Sequence, residues 1–167
     1  MSRLLTLQNR LKVRARRDRL ADHQRRLFDQ VVERWRYPEK VNLHGPAGVG
    51  KTFLGWALAR EQEALFFAAP ELFAPDAVPP GRPVIVDNVD ADERPLRRLL
   101  ATLQLANVHA ALLISRRPNP GLLPALELSP PDETDVIAVL HNLSELEHYA
   151  LTMPESANLW QIIHATL

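Results

Sequence analysis

The chain has 167 residues, no cysteine, and 20 basic side chains balanced by 20 acidic ones. This length is sufficient for one domain with a hydrophobic core. The lack of cysteine excludes a disulfide framework, a thiolate zinc site and a cysteine nucleophile, and it favours a reducing compartment, which we predict to be the cytoplasm. The sequence has no signal-peptide pattern and no apolar run of the ~18 residues that a membrane helix needs, so no membrane association is expected.

Charge is distributed unevenly along the chain. Residues 1–40 contain 12 basic and 5 acidic side chains, whereas residues 118–167 contain 7 acidic and no basic ones. Such an asymmetry predicts that the basic end meets something anionic. Nucleic acid is one candidate. The acidic end of a neighbouring copy is another, and that contact would be head-to-tail self-association, which builds rings or filaments.

The first two thirds of the chain alternate between helical and strand-like patterns. Residues 3–35 have no proline or glycine and place apolar residues at helical spacing, which predicts one or two helices. Apolar, strand-like runs follow at 40–44, 64–73, 84–90 and 109–115, with a break expected at Pro70 in the second run and helices expected over 51–62 and 92–106. Strands that are apolar on both faces and alternate with helices predict a parallel sheet covered on both sides, which is a three-layer α/β sandwich.

After Pro118 the pattern changes to short elements. We expect a last short strand at 125–129, a turn at Pro130-Pro131 and a helix capped by Asp132. Two short helical stretches at 144–150 and 155–166 complete the chain. The predicted organisation is a basic helical N-terminal arm (1–36), an α/β core (37–130) and a small acidic helical lid (131–167).

The stretch GPAGVGKT at 45–52 fits G-x-x-x-x-G-K-[ST], the pattern of a phosphate-binding loop. Its glycines let successive backbone N–H groups face one anion, and the following helix adds the positive end of its dipole. Lys51 is expected at the β- and γ-phosphates, and the Thr52 hydroxyl at Mg²⁺. The predicted nucleotide-binding residues are Gly45, Pro46, Ala47, Gly48, Val49, Gly50, Lys51, Thr52 and Phe53.

Two further residues follow strands that should end at the same edge of the sheet. Asp87, in the run VIVDNVD, is the predicted second Mg²⁺ residue beside Thr52. The alternative for Asp87 is that it caps the next helix. Ser115, at the end of LLIS, is placed where a side chain can reach the γ-phosphate, and the alternative is that this strand end faces solvent. The predicted catalytic residues are Lys51, Asp87 and Ser115.

In this order, GPAGVGKT, VIVDNVD, LLISRRP and LELSPPDETDVIAVL resemble the AAA+ ATPases of the DnaA/Hda replication-initiation group, with the related IstB/DnaC loaders close behind. The resemblance spans about residues 28–140. It implies an AAA+-like P-loop NTPase fold that binds ATP and Mg²⁺. It also implies that residues 45–52 are the Walker A loop, Asp87 is the Walker B acid and Ser115 occupies the sensor 1 region.

The chain departs from that family where hydrolysis is driven. Asn88 follows the Walker B acid, whereas the family commonly has a second acid there. The arginine-finger region is shortened, which leaves Arg116 and Arg117 as candidates, and residues 118–167 contain no arginine or lysine for a sensor 2 position. Since an arginine finger contributes about 10³–10⁵ in rate where it acts, slow or partner-dependent ATP hydrolysis is expected.

The sequence therefore predicts a nucleotide-dependent switch or regulator that works in an oligomeric or partner complex, with DNA as a candidate partner in replication, transposition or defence. Asp90 or Glu93 is a candidate replacement for the missing base. Three alternatives stay open: a STAND-type signalling NTPase, a non-catalytic adaptor that keeps the P-loop fold, and a small-molecule kinase. The choice of ATP over GTP follows from the resemblance alone.

The basic N-terminal segment offers several side chains for contacts to nucleic-acid phosphates, and such binding would depend steeply on salt. No aromatic residue lies within its basic cluster, so stacking on single-stranded bases is not expected. A solvated helix face and a face for an acidic protein are the alternatives. The candidate phosphate-contacting residues are Arg10, Lys12, Arg14, Arg16, Arg17 and Arg19.

Overall fold

A computed structural model describes residues 3–139, with side chains from residue 9 onward. The two helical stretches predicted at 144–150 and 155–166, and with them most of the predicted lid, lie outside the described residues. Between residues 3 and 139, no helix is long and apolar enough to cross a membrane.

The elements follow the predicted order. They are α1 (Arg3–Arg14), α2 (Asp22–Arg36), β1 (Lys40–His44), α3 (Lys51–Glu61), β2 (Leu65–Phe67), β3 (Val84–Val89), α4 (Glu93–Leu105), β4 (Ala111–Ser115) and β5 (Ala125–Glu127). Residues 133–139 are also helical. The strand predicted within 64–73 breaks before Pro70, as expected, because Pro70 has no N–H for the sheet and begins a 3₁₀ turn, Pro70–Leu72.

The five strands form one parallel sheet in the order β2-β3-β4-β1-β5. This confirms the predicted α/β class with a parallel sheet. The step from β1 to β2 crosses the sheet in one direction, and the step from β3 to β4 crosses it in the other. Because such crossovers are right-handed, their helices α3 and α4 must lie on opposite faces of the sheet.

Two hydrophobic clusters, one on each face, agree with this topology. On the α3 face, Leu54 and Leu58 of α3 belong to a cluster with Leu43, Ile85 and Leu112. On the α4 face, a second cluster contains Leu96, Leu99 and Leu103 of α4 together with Val84, Val86, Ala111 and Leu113. Consecutive residues of β3 and β4 therefore serve opposite faces, which explains why these strands read as unbroken apolar runs.

Part of the basic N-terminal segment shares the core of the sheet. Ala15, Leu20, Phe28 and Val31 are buried in the α3-face cluster. The α2 helix, which carries the last two of them, therefore packs on the same layer as α3. The basic side chains before α2 therefore belong to a segment that is anchored in the core through Ala15 and Leu20.

Replacing Leu103 with alanine should lower the free energy of unfolding by about 2–5 kcal/mol, because the change removes fully buried methyl groups and leaves a cavity under α4. Leu105→Ala is the matched control, since Leu105 lies on the same helix and is 88% exposed. Its effect should stay within about 0.5 kcal/mol. Urea titrations followed by circular dichroism measure both, and equal losses would contradict the packing of α4 described above.

Candidate functional site

The candidate site lies where the connections that follow two neighbouring strands, β1 and β4, run to opposite faces of the sheet. β1 continues into α3 on one face, whereas the segment after β4 packs Leu122 and Leu123 into the cluster on the other face. In open parallel sheets, the crevice at the carboxyl ends of such a strand pair is where ligands bind. The predicted loop and the ends of β3 and β4 all meet at this edge.

The loop at 45–50 has a backbone that few other residues could adopt. Gly45 and Gly50 have φ values of 151° and 92°, and a Cβ on Gly45 would lie 2.2 Å from the carbonyl oxygen of Leu128. Gly50 directly precedes α3, so the first backbone N–H groups of that helix face the loop. The sequence thus builds a glycine-rich turn at a helix N-terminus, which is the kind of turn whose N–H groups can face an anion.

The predicted nucleotide-binding residues divide between that loop and the first turn of α3. Gly45, Pro46, Ala47, Gly48, Val49 and Gly50 form the loop, and Lys51, Thr52 and Phe53 begin the helix. Val49 is buried in the α3-face cluster and Phe53 packs against it. These two residues therefore have backbone groups to offer a ligand, because their side chains serve the core.

Lys51 is held inside its own loop. Its ammonium Nζ donates hydrogen bonds to the carbonyl oxygens of Gly45 and Pro46, both at 2.6 Å. The residue is 9% exposed. Burial lowers the pKa of Lys51, the charge of Asp87 opposes this, and the nearby charge of Arg116 lowers it further. A buried cation held only by neutral carbonyls has much to gain from an anion.

The two residues predicted to hold Mg²⁺ are in direct contact. The Thr52 hydroxyl donates to Asp87 Oδ2 at 2.6 Å, and the backbone N–H of Asn88 donates to Asp87 Oδ1 at 2.7 Å. Asp87 is 5% exposed. Burial raises the pKa of Asp87 above its ordinary value, against the opposing effects of these hydrogen bonds and of the Lys51 charge. The alternative role of Asp87 as a helix cap has no support in these contacts.

This pair of oxygen ligands fits Mg²⁺. Mg²⁺ prefers oxygen, and proteins usually hold it through one or two carboxylates together with phosphate oxygens and water. Within residues 9–139, no group of three or more His, Asp or Glu side chains could hold a metal ion alone. A cation beside Thr52 and Asp87 would therefore take its other ligands from a phosphate and from water.

An irregularity in β3 aims Asp87 at α3. The register between β3 and β4 shifts between Val86 and Val89, and Asn88 has a φ of 54°. With one extra residue at this point, Asp87 stays on the α3 face while Val89 returns to the α4-face cluster. The Asn88 amide donates to the carbonyl of Ala68 at 2.9 Å, so it fastens β3 to the segment after β2.

The two candidate replacements for a catalytic base are engaged around the start of α4. Asp90 accepts a hydrogen bond from the backbone N–H of Asp92 at 3.0 Å, and Glu93 forms an ion pair with Arg97 at 2.8 Å. Both contacts are local to α4, and they give these carboxylates a structural role in its first turn.

Ser115 is placed differently from the other predicted site residues. It follows Ala111 and Leu113 at alternate positions, so its side chain lies on the α4 face, opposite Lys51 and Thr52. Its hydroxyl donates to the carbonyl of Arg117 at 2.7 Å and accepts from the side-chain amide of Asn42 at 2.9 Å. In this arrangement the Ser115 hydroxyl is engaged on the other face, and its contact with a γ-phosphate stays a prediction.

Sequence reasoning missed Asn42, the partner of Ser115. Its one signal was a polar residue in the middle of the apolar run KVNLH. The structure also separates the two arginines after β4: Arg117 lies 3.0 Å from Asp92 in an ion pair, whereas Arg116 is exposed and its charge acts on Lys51.

The first turn of α2 touches both the glycine-rich loop and the helix at 133–139. Gln24 Nε2 donates to the carbonyl of Gly50 at 3.4 Å, and His23 Nδ1 lies 2.7 Å from Asp135 Oδ2. Asp135 and Asp132 exchange side-chain to backbone hydrogen bonds, which confirms the predicted cap at Asp132. Burial raises the pKa of Asp135, but the contacts with His23 and Asp132 outweigh it and lower the pKa.

The basic residues before α2 fall into two groups. Arg17 forms two hydrogen bonds with the carboxylate of Asp29, at 2.8 and 2.7 Å, so its charge ties the chain to α2. Arg19 is half-buried. The other members of the candidate set, Arg10, Lys12, Arg14 and Arg16, are exposed, and so is the paired Arg17.

No protein-family model matches the chain, and no curated protein matches it significantly. What the chain does must therefore be inferred from its own residues and geometry.

Replacing Asp87 with asparagine should stabilise the ligand-free protein at neutral pH. The folded-state pKa of Asp87 is raised, so ionisation destabilises the fold. That penalty is absent below the unfolded-state value of about 3.9 and grows as the pH rises through the folded-state pKa. The gain in Tm should thus increase from about pH 4 to about pH 7, by about 2–4 °C for each kcal/mol in a chain of this size. Thermal unfolding followed by circular dichroism measures it.

Asp90→Asn is the matched control, because the Asp90 side chain is 57% exposed and an asparagine oxygen can still accept from Asp92. An equal gain in both variants, or a gain for Asp87→Asn that shrinks with rising pH, would contradict the buried charge.

Proposed function

We propose that the chain binds Mg-ATP and acts as a nucleotide-dependent switch of the AAA+-like P-loop type, with slow or partner-dependent hydrolysis. The observation that carries the proposal is the meeting of Lys51, Thr52 and Asp87 around one glycine-rich loop at the start of α3. A buried ammonium, a hydroxyl and a carboxylate at a helix N-terminus form a suitable set for a phosphate and its cation.

Each group has a distinct task in this proposal. The loop N–H groups and the N-terminus of α3 bind the phosphate chain. Lys51 exchanges the carbonyls of Gly45 and Pro46 for phosphate oxygens, which are stronger acceptors for an ammonium group. Thr52 and Asp87 hold Mg²⁺, which neutralises negative charge on the phosphates when it is bound.

The geometry around the site supports holding a nucleotide over rapid turnover. An amide cannot act as a base, and the Asn88 amide is bound to Ala68. The carboxylates of Asp90 and Glu93 are engaged at α4. The C-terminal segment 118–167 has no arginine or lysine to stabilise a transition state. A second chain or a partner would have to supply these groups.

The partners follow from charge and from the AAA+ resemblance. The exposed basic group before α2 and the acidic C-terminal segment suit either DNA or head-to-tail contacts between copies. We propose that the protein acts in such an assembly in the cytoplasm. The choice of ATP as the nucleotide rests on the resemblance.

A second candidate is a non-catalytic adaptor that keeps the fold for protein contacts. The observation that favours it is the pair of hydrogen bonds from Lys51 Nζ to the carbonyl oxygens of Gly45 and Pro46, which give the ammonium group partners within its own loop. An adaptor with this loop would fold and engage its partner without nucleotide.

Binding of radiolabelled ATP with Mg²⁺ tests the proposal. Lys51→Ala should weaken binding by about 10–100-fold, because it removes charge-assisted hydrogen bonds to the phosphates. Lys40→Ala is the control, since Lys40 lies at the opposite end of β1, and it should bind like the parent. In a single turnover, most bound ATP should stay intact for minutes, given that an intrinsic rate without an arginine finger is on the order of 10⁻⁴ s⁻¹.

Equal affinity in the parent and Lys51→Ala would contradict the assigned site. Partner capture that survives Lys51→Ala, with no nucleotide bound by either protein, would instead favour the adaptor.

A triple Gln variant of Lys12, Arg14 and Arg16 tests the DNA contact. If these side chains meet phosphates, the variant should weaken duplex binding and reduce the slope of log K against log[salt] by about 2 to 3. Anisotropy of labelled duplex DNA across a salt series measures it. The matched control removes the same charge from α4, at Arg94, Arg97 and Arg98, and equal losses in both variants would point to a nonspecific charge effect.

A further inference from the structure

Asn42 is a polar residue at the centre of the sheet, and every hydrogen-bonding position of its side chain is used. The residue is 2% exposed. Its amide nitrogen donates to the carbonyl of Leu113 and to Ser115 Oγ, both at 2.9 Å. Its oxygen accepts from the backbone N–H of Asn119 at 3.0 Å and from the Asn119 amide at 3.4 Å. A buried amide is tolerated only when it is satisfied in this way.

These bonds fix the turn that follows β4. Ser115 Oγ accepts from Asn42, so its hydrogen is directed to the carbonyl of Arg117 at 2.7 Å. Asn119 closes the other end of the turn through hydrogen bonds with Leu123 at 2.9 and 3.0 Å. One side chain of β1, the strand that leads into the phosphate loop, thus holds residues 115–119.

The turn places Arg116 on the side of the phosphate loop. In the parallel register, Leu43 is paired with Ile114, so two further steps along both chains bring Arg116 to the level of Gly45. Leu112 and Ile114 face α3, and the next residue in that alternation is Arg116. Its positive charge acts on Lys51, the neighbouring cation of the loop.

Arg116 differs from Arg117 in what holds its guanidinium. Arg117 pairs with Asp92 at 3.0 Å and lies 3.9 Å from Asp90. Among the ion pairs of the described residues, none involves Arg116, and its side chain is exposed. Lys51 and Arg116 carry two positive charges beside the single carboxylate of Asp87. The excess positive charge favours an anion with more than one charge.

We propose that Asn42 is a positioning residue that holds Arg116 at the phosphate loop, where Arg116 distinguishes a nucleoside triphosphate from a diphosphate. This inference rests on the proposed nucleotide binding and deepens it. Arg116 makes the contact with the terminal phosphate, and Asn42 acts only through Ser115 and the turn. The discrimination is thereby made within a single chain.

The test compares affinities for Mg-ATP and Mg-ADP in the full chain, measured by calorimetry. Arg116→Ala should lower the ratio of ATP to ADP affinity by about tenfold, the loss expected for a charge-assisted contact. Asn42→Ala should lower the same ratio, and the double variant should lose no more than Arg116→Ala alone. Such non-additivity separates a positioning role from a merely structural one, for which the losses would add.

Arg117→Ala is the matched control, because it removes an equal charge from the same turn and leaves the Arg117 carbonyl in place. Since Asn42→Ala can unfold the chain, Ser115→Ala is the second variant: it keeps Asn42 and removes the hydroxyl that holds Arg117. Ser115→Thr, which retains a hydroxyl, should restore the ratio.

The outcomes separate the two proposals. Binding of neither nucleotide by the parent protein would overturn the proposed function, and this inference with it. Binding of both, with a ratio unchanged in Arg116→Ala and Ser115→Ala, would overturn only the inference. An equal loss in Arg117→Ala would also overturn it, since the effect would then reflect net charge.

Discussion

The hydrogen bond from Thr52 to Asp87 joins the first turn of α3 to the end of β3, and the site is organised around it. Asp87 and Lys51 are both buried. Burial raises the pKa of Asp87 and lowers the pKa of Lys51, so it favours the neutral form of each residue. Desolvating an ammonium and a carboxylate is unfavourable to folding unless both are well partnered. The fold tolerates the pair because Thr52 and the loop carbonyls satisfy it. Such a concentration of buried charge at a sheet edge is typical of functional sites.

The sheet topology makes this arrangement available. β1 occupies the position between β4 and β5, so the glycine-rich loop at 45–50 emerges with a strand end on either side. The alternation of side chains then assigns the neighbours to faces: Asp87 serves the α3 face, and Ser115 serves the α4 face with Asn42. The irregularity at Asn88 is needed because a regular strand could not present both Asp87 to Thr52 and Val89 to the opposite core.

Sequence reasoning recovered what depends on local pattern. The glycine spacing, the apolar strands, the break at Pro70 and the cap at Asp132 all follow from nearby residues. The strand order and the hydrogen-bond partners of each polar side chain do not follow from nearby residues. They depend on contacts with residues that are distant in the sequence. The sequence correctly placed Ser115 at the end of a strand. The side of the sheet on which its side chain lies, however, depends on its position in the alternation of side chains along that strand. Asn42 was passed over because its four bonds involve residues more than seventy positions away, a separation that local patterns do not reveal.

The proposed switch would act through the partners of Lys51 and Thr52. Both residues are hydrogen-bonded within the protein, to Gly45, Pro46 and Asp87. A bound nucleotide would exchange these partners, and only such a difference in contacts lets a ligand shift a conformational equilibrium. The exchange would occur beside Gly50, whose carbonyl accepts from Gln24 at the start of α2. The adjacent residue on α2, His23, contacts Asp135 in the first turn of the helix at 133–139. A change in the partners of Lys51 would therefore occur close to this contact between α2 and the helix at 133–139.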